Sequence, residues 1–186
     1  MRIISGSARS TPIRIPPGEV RPTSDRVREA MFSILGEAVP GARCLDLFAG
    51  SGALGIEALS RGAGSCLFVD SSRACCVTIE ANLNKTRLGG GKTRQMEVAA
   101  YLRGARGPFD LIFADPPYAK GDRPDLSAEL AVSPELFALL APGATLVLES
   151  LKGAGEYRAS DGLELIGLRE YGDTQLAFYR RQNPSQ

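Results

Sequence analysis

Asp46-Leu47-Phe48-Ala49-Gly50-Ser51-Gly52-Ala53-Leu54-Gly55 is the most informative stretch of this 186-residue chain. An apolar run gains an acid at its end, passes through glycines and opens a helical pattern. Gly50 and Gly52 let the backbone approach a ligand closely, and the first turn of the following helix offers free N–H groups. On either side of it, short apolar runs alternate with amphipathic ones. The pattern predicts strands over residues 44–48, 65–70, 93–97, 110–115 and 144–149, and helices over 52–61, 72–86 and 127–140. Strands alternating with helices give an α/β fold. Its sheet is mostly parallel, flanked by helices, with ligands beyond the carboxyl ends of the strands. Residues 163–168 and 175–179 are too close together for a helical crossover, so they are expected to form an antiparallel C-terminal hairpin.

Before this pattern, Ile3-Ile4 and Ile13-Arg14-Ile15 precede Pro16-Pro17-Gly18 and suggest a small β-hairpin closed by a turn. Residues 1–22 are expected to be a basic appendage outside the core, and residues 23–186 one domain. Thr23-Ser24-Asp25 can start a helix, with Val27, Ala30, Met31, Ile34 and Leu35 facing inward and Arg26 and Arg28 pointing elsewhere. The charge is uneven: six arginines face only Glu19 and Asp25 within residues 1–28, while the whole chain carries a net charge of only +1. A basic arm on a mildly acidic body suits a polyanionic partner.

A chain that is 44% hydrophobic and 23% charged fits one compact domain. No run approaches the roughly 20 apolar residues of a membrane span, and the N-terminus turns polar too soon for a secretory signal, so the expected location is cytoplasmic. The sequence contains no histidine, which removes Ser-His-Asp and Cys-His machinery and the common zinc sites. No metal site is expected, and Cys44, Cys66, Cys75 and Cys76 lack C-x-x-C spacing and read as reduced, mostly buried thiols. Any chemistry must come from carboxylates, backbone groups or a cofactor.

Two constellations carry that chemistry. Gly50-x-Gly52-x-x-Gly55, with Asp70 twenty residues beyond Gly50, matches the dinucleotide fingerprint. Asp46, however, would set another negative charge beside a pyrophosphate, and a cationic sulfonium ligand suits that acid better. In that reading Asp46 binds the methionine end of S-adenosylmethionine, directly or through water, and Asp70 takes the ribose hydroxyls. The second constellation is Asp115-Pro116-Pro117-Tyr118, which ends an apolar strand. The two prolines remove two backbone donors and leave carbonyls facing the site. An exocyclic amine, its lone pair delocalised into its ring, must be gripped by acceptors on its hydrogens. Asp115 and the Pro116 carbonyl are candidates, and Tyr118 could stack on the base.

These residues resemble the bacterial RsmD family. The resemblance rests on Arg2-Ile3-Ile4-Ser5-Gly6 with Arg9, on Arg21-Pro22-Thr23-Ser24-Asp25-Arg26-Val27-Arg28-Glu29, on the glycine loop from Leu45 to Gly55, on Asp115-Pro116-Pro117-Tyr118 and on Tyr171-Gly172-Asp173-Thr174. It implies a Rossmann-like class I methyltransferase with its last strand antiparallel, acting on the N2 amine of a guanine in 16S ribosomal RNA with S-adenosylmethionine as cofactor. Asp46, Phe48, Gly50, Gly52 and Asp70 then fall in the cofactor site, with Glu97 as the candidate adenine contact, and Asp115 through Tyr118 in the catalytic loop. Arg9, Arg21, Thr23, Arg26 and Arg28 are candidate RNA contacts. An assembling small-subunit particle is the expected partner of a monomeric enzyme. The competing readings are a DNA adenine-N6 methyltransferase, a nicotinamide-dependent dehydrogenase and a non-catalytic RNA-binding protein.

Overall fold

The computed structural model describes residues 1–18, 23–117, 126–153 and 159–183. Among these residues seven strands form one sheet in the order β3-β2-β1-β4-β5-β7-β6, with β1 Arg43–Leu47, β2 Ser65–Asp70, β3 Gly91–Gln95, β4 Phe109–Ala114, β5 Leu140–Leu151, β6 Leu163–Tyr171 and β7 Thr174–Arg181. Strands β1 to β5 pair in parallel, and β7 runs antiparallel to both β5 and β6. The hairpin predicted at the C-terminus is present, turning at Gly172, whose φ is +62°. The order reverses at β1, whose neighbours are β2 and β4, and the crevice for a ligand opens above their carboxyl ends.

Alternation along the buried strands divides the core into two layers. On one face Cys44, Phe68, Leu111, Phe113 and Phe178 pack beneath α1 (Asp25–Leu35), α2 (Ala53–Ser60) and α3 (Arg73–Thr86). On the other Leu45, Leu47, Ile112, Leu146 and Tyr179 meet α4 (Val98–Gly104), α5 (Leu126–Ala131) and α6 (Pro134–Leu139). The single helix expected over 127–140 is thus two. Ser133 caps the second through the Leu136 N–H, and Pro134 at its first position cannot donate into a continuous helix. Helix α4, absent from the predicted pattern, occupies only seven residues. Among the described residues no helix is long and apolar enough to cross a membrane.

The N-terminal residues are not an appendage. Arg2 and Pro12 form an antiparallel bridge, as the hairpin reading expects, but Ile3, Ala8 and Ile13 are buried in the same cluster as α1 and α2. Glu57 on α2, with no exposed surface, accepts the N–H groups of Ile4 (2.8 Å) and Ser5 (3.0 Å) and the Arg61 Nε (2.7 Å). The Ser60 hydroxyl accepts from Ala8 N and donates to the Ser5 carbonyl. A Cβ on Gly6 would lie 1.8 Å from the Ser60 carbonyl oxygen, so the arm touches the helix at a distance only glycine permits. Farther along, buried Asn82 of α3 pairs with both backbone groups of Arg14 and donates to the Ser51 carbonyl in the glycine loop.

Candidate active site

Strands β1 to β5 supply the site at their carboxyl ends. Asp46 lies one residue before the end of β1 and is 2% exposed. Its Oδ2 accepts the Gly55 N–H at 2.9 Å, binding a donor of the first turn of α2. Gly52, the cap residue of that helix, has no side chain to do so. Burial pushes the Asp46 carboxyl up to about 8, the Gly55 bond opposing and the charge of Asp70 adding to the rise. A carboxyl whose folded pKa lies above its unfolded 3.8 keeps a proton that the unfolded chain loses. The ligand-free protein is therefore expected to lose stability as pH rises from about 4 to about 8. Asp46→Asn should flatten that slope and raise the melting temperature at pH 8, by about 2–4 °C for each kcal/mol relieved in a chain of this size. Melting curves across pH check this, and an unchanged slope would contradict it.

The loop after β1 holds an unusual backbone. Phe48 has φ +57°, and Gly50 and Gly52 have φ +55° and +77°. A left-handed non-glycine residue costs about 1–2 kcal/mol and marks a loop held in place by its surroundings. Those surroundings include Asp70, the last residue of β2, whose Oδ2 accepts from Gly50 N and Oδ1 from Ser72 N, both at 2.8 Å. Gly55 has a packing reason as well: a Cβ there would lie 2.3 Å from the Phe68 ring and 2.5 Å from the Cys66 sulfur. Strand β3 stops at Gln95, and exposed Glu97 begins α4 without using its side chain as a cap. All four cysteines are free and buried.

Beyond β4, Asp115 is followed by buried Pro116 and exposed Pro117, while Tyr118 lies outside the described residues. The register pairs Ala114 with Leu148, so Asp115 and Glu149 are adjacent on neighbouring parallel strands. Glu149 is 5% exposed. The Thr23 hydroxyl, just ahead of α1, lies 3.4 Å from Asp115 Oδ2 and 3.2 Å from Glu149 Oε2. Burial raises the Asp115 carboxyl well above its ordinary range, with further rises from the charges of Glu149 and Asp46. Glu149 is the residue that sequence reasoning missed. The available signal was an acid ending an apolar strand, the feature that marks Asp115.

One expected RNA contact is corrected. Arg28 is fully buried, because it donates to the Arg2 carbonyl at 2.6 Å and to Asp25 at 2.7 Å; the inward face of α1 is Val27, Arg28, Met31, Phe32 and Leu35, while Ile34 is 43% exposed. Half-buried Thr23 has its hydroxyl beside Asp115 and Glu149. Arg9 and Arg26 are exposed, and Arg21 lies outside the described residues.

The chain matches the family model described as conserved hypothetical protein 95 over residues 1–180. It is 39% identical over 123 residues to the ribosomal RNA small subunit methyltransferase D of Escherichia coli K12, a match covering 65% of this chain and 62% of that protein. The solved structure of yhhF from Escherichia coli superposes with a TM-score of 0.83 at 31% identity, covering 99% of each chain. SMU.776, a structure complexed with SAH, shares the fold at a TM-score of 0.68 and 17% identity, covering 83% of this chain and 48% of that one. With its sheet order, its antiparallel β7 and these relatives, the chain belongs to the RsmD family and has the class I methyltransferase fold.

Proposed function

We propose that this chain transfers a methyl group from S-adenosylmethionine to the exocyclic N2 amine of a guanine in small-subunit (16S) ribosomal RNA. The observation that carries the reading is the adjacency of the glycine loop after β1 and the Asp115-Pro116-Pro117 end of β4, neighbouring strands at one rim of the sheet. The name of the Escherichia coli relative supports the RNA substrate.

The residues fit this cofactor. Asp46 is a buried acid that a cationic ligand would favour in its charged form, and Asp70 retains lone pairs for ribose hydroxyls beyond its two backbone bonds. Phe48, Gly50 and Gly52 form the bed for the methionine end, and Glu97 stands at the rim for the adenine. Bound there, S-adenosylmethionine supplies an electrophilic methyl group. Asp115 and the Pro116 carbonyl hold the hydrogens of the acceptor amine and align its nitrogen, Pro117 stiffens the loop, and Tyr118 stacks on the base. Arg9, Arg21 and Arg26 meet RNA phosphates. The enzyme acts as a cytoplasmic monomer on an assembling small-subunit particle.

Incubation of the protein with unmodified small subunits and methyl-labelled S-adenosylmethionine, followed by separation of RNA from protein, tests the reading. Label is expected in the 16S RNA; label confined to ribosomal protein would overturn it.

A further inference from the structure

Glu149 and Thr23 stand beside Asp115 in an arrangement that methyl positioning alone does not need. An amine that gains a methyl group must lose a proton, and the chain has no histidine to take it. We propose that Asp115, Thr23 and Glu149 form one proton-accepting unit, in which Asp115 takes the proton of the methylated amine and the Thr23 hydroxyl passes a proton on to Glu149. This rests on the reading of the site as an amine methyltransferase.

The geometry supports it in three ways. Thr23 has one O–H, yet its oxygen lies within 3.4 Å of both carboxylates, so it can donate to either and accept from the other when that one is protonated. Asp115 and Glu149 are neighbours on parallel strands, with Asp46 on the other side of β4, and among the described groups these two carboxylates and Thr23 are what acts on Asp115. Like charges buried this close favour retention of a proton by the pair, in keeping with the raised Asp115 carboxyl.

The bond changes balance. Nitrogen bonds to the methyl carbon as the carbon–sulfur bond breaks with its electron pair left on sulfur. The N–H bond then breaks, its pair stays on nitrogen, and the proton goes to the Asp115 carboxylate. Asp115 returns a proton to the Thr23 oxygen as Thr23 gives its own to Glu149, which regenerates the hydroxyl and leaves Asp115 ionised; Glu149 then loses the proton to solvent water before the next turnover. Asp115 touches the substrate; Thr23 and Glu149 are positioning residues.

The test begins with the ligand-free protein, in which the Asp115 side-chain carboxyl is titrated by carbon-13 NMR in the wild type and in Glu149→Gln. Its midpoint is expected to fall by about one pH unit or more on loss of the neighbouring charge. The acid limb of the single-turnover methylation rate should move down with it. In multiple turnover, where Asp115 must be freed of its proton in every cycle, Thr23→Val should lower the plateau rate about tenfold and Thr23→Ser should restore it. An unmoved Asp115 midpoint in Glu149→Gln, or a Thr23→Ser variant as slow as Thr23→Val, would overturn the relay. If the wild-type product proves to be a nucleoside other than N2-methylguanosine, the guanine reading falls, while the carboxyl titration and the Thr23 pair still decide the relay.

Discussion

Asp115→Ala is expected to lower kcat about 10²- to 10³-fold, the usual effect of removing one preorganised polar group from a reacting centre. The affinity for S-adenosylmethionine should stay within a few-fold of wild type, because the glycine loop and Asp70 lie on β1 and β2 rather than β4. The melting temperature should hold or rise. Asp115 is a half-buried carboxyl crowded by Glu149 and Asp46, and its removal relieves that crowding while the Thr23 hydroxyl keeps Glu149 as an acceptor. Asp115→Asn retains a carbonyl that can hold an amine hydrogen but cannot take its proton, so it should fall between. Single-turnover rates, cofactor titration and melting curves separate these terms, and equal losses of rate, affinity and stability would assign Asp115 a structural role.

Glu57→Ala is expected to lower folding stability by about 3–5 kcal/mol, the range for removing one partner of a buried charged pair. Glu57 has no exposed surface and holds three donors: the N–H groups of Ile4 and Ser5 and the Arg61 guanidinium. Truncation strands all three and frees the start of the arm, whose Ile3 belongs to the core. Denaturant unfolding measures the loss, and a change below about 1 kcal/mol would show that the arm is held without it. Asn82 is the second anchor and also bonds the Ser51 carbonyl, so an arm loosened there should disturb the glycine loop.

The sheet was legible because buried strands write their period into the sequence: 44–48, 65–70 and 110–115 sit within a residue of β1, β2 and β4. Helix α4 was not, since seven residues give too few turns for a periodic signal. The glycine loop, Asp70 and Asp115 could be read because each follows an apolar run. Glu149 has the same signature, but it lacks the prolines that drew attention to Asp115. The arm was misread for a different reason. It docks through backbone N–H groups onto Glu57, Ser60 and Asn82, polar residues of helices far away in sequence, and no local pattern marks such partners. Arg28 was misplaced because periodicity assigns charge to solvent, whereas here one nitrogen of a guanidinium inside the fold bonds Asp25 and the Arg2 carbonyl, and its Nε and Nη1 have no hydrogen-bond partner among the described residues.

The most direct test of the account is the chemical identity of the methylated nucleoside. 16S RNA labelled by the wild-type protein in small-subunit particles is digested to nucleosides and separated, with the Asp115→Ala protein treated in parallel. The account predicts label in N2-methylguanosine that is nearly absent from the variant; label in N6-methyladenosine, or equal labelling by the variant, would contradict it.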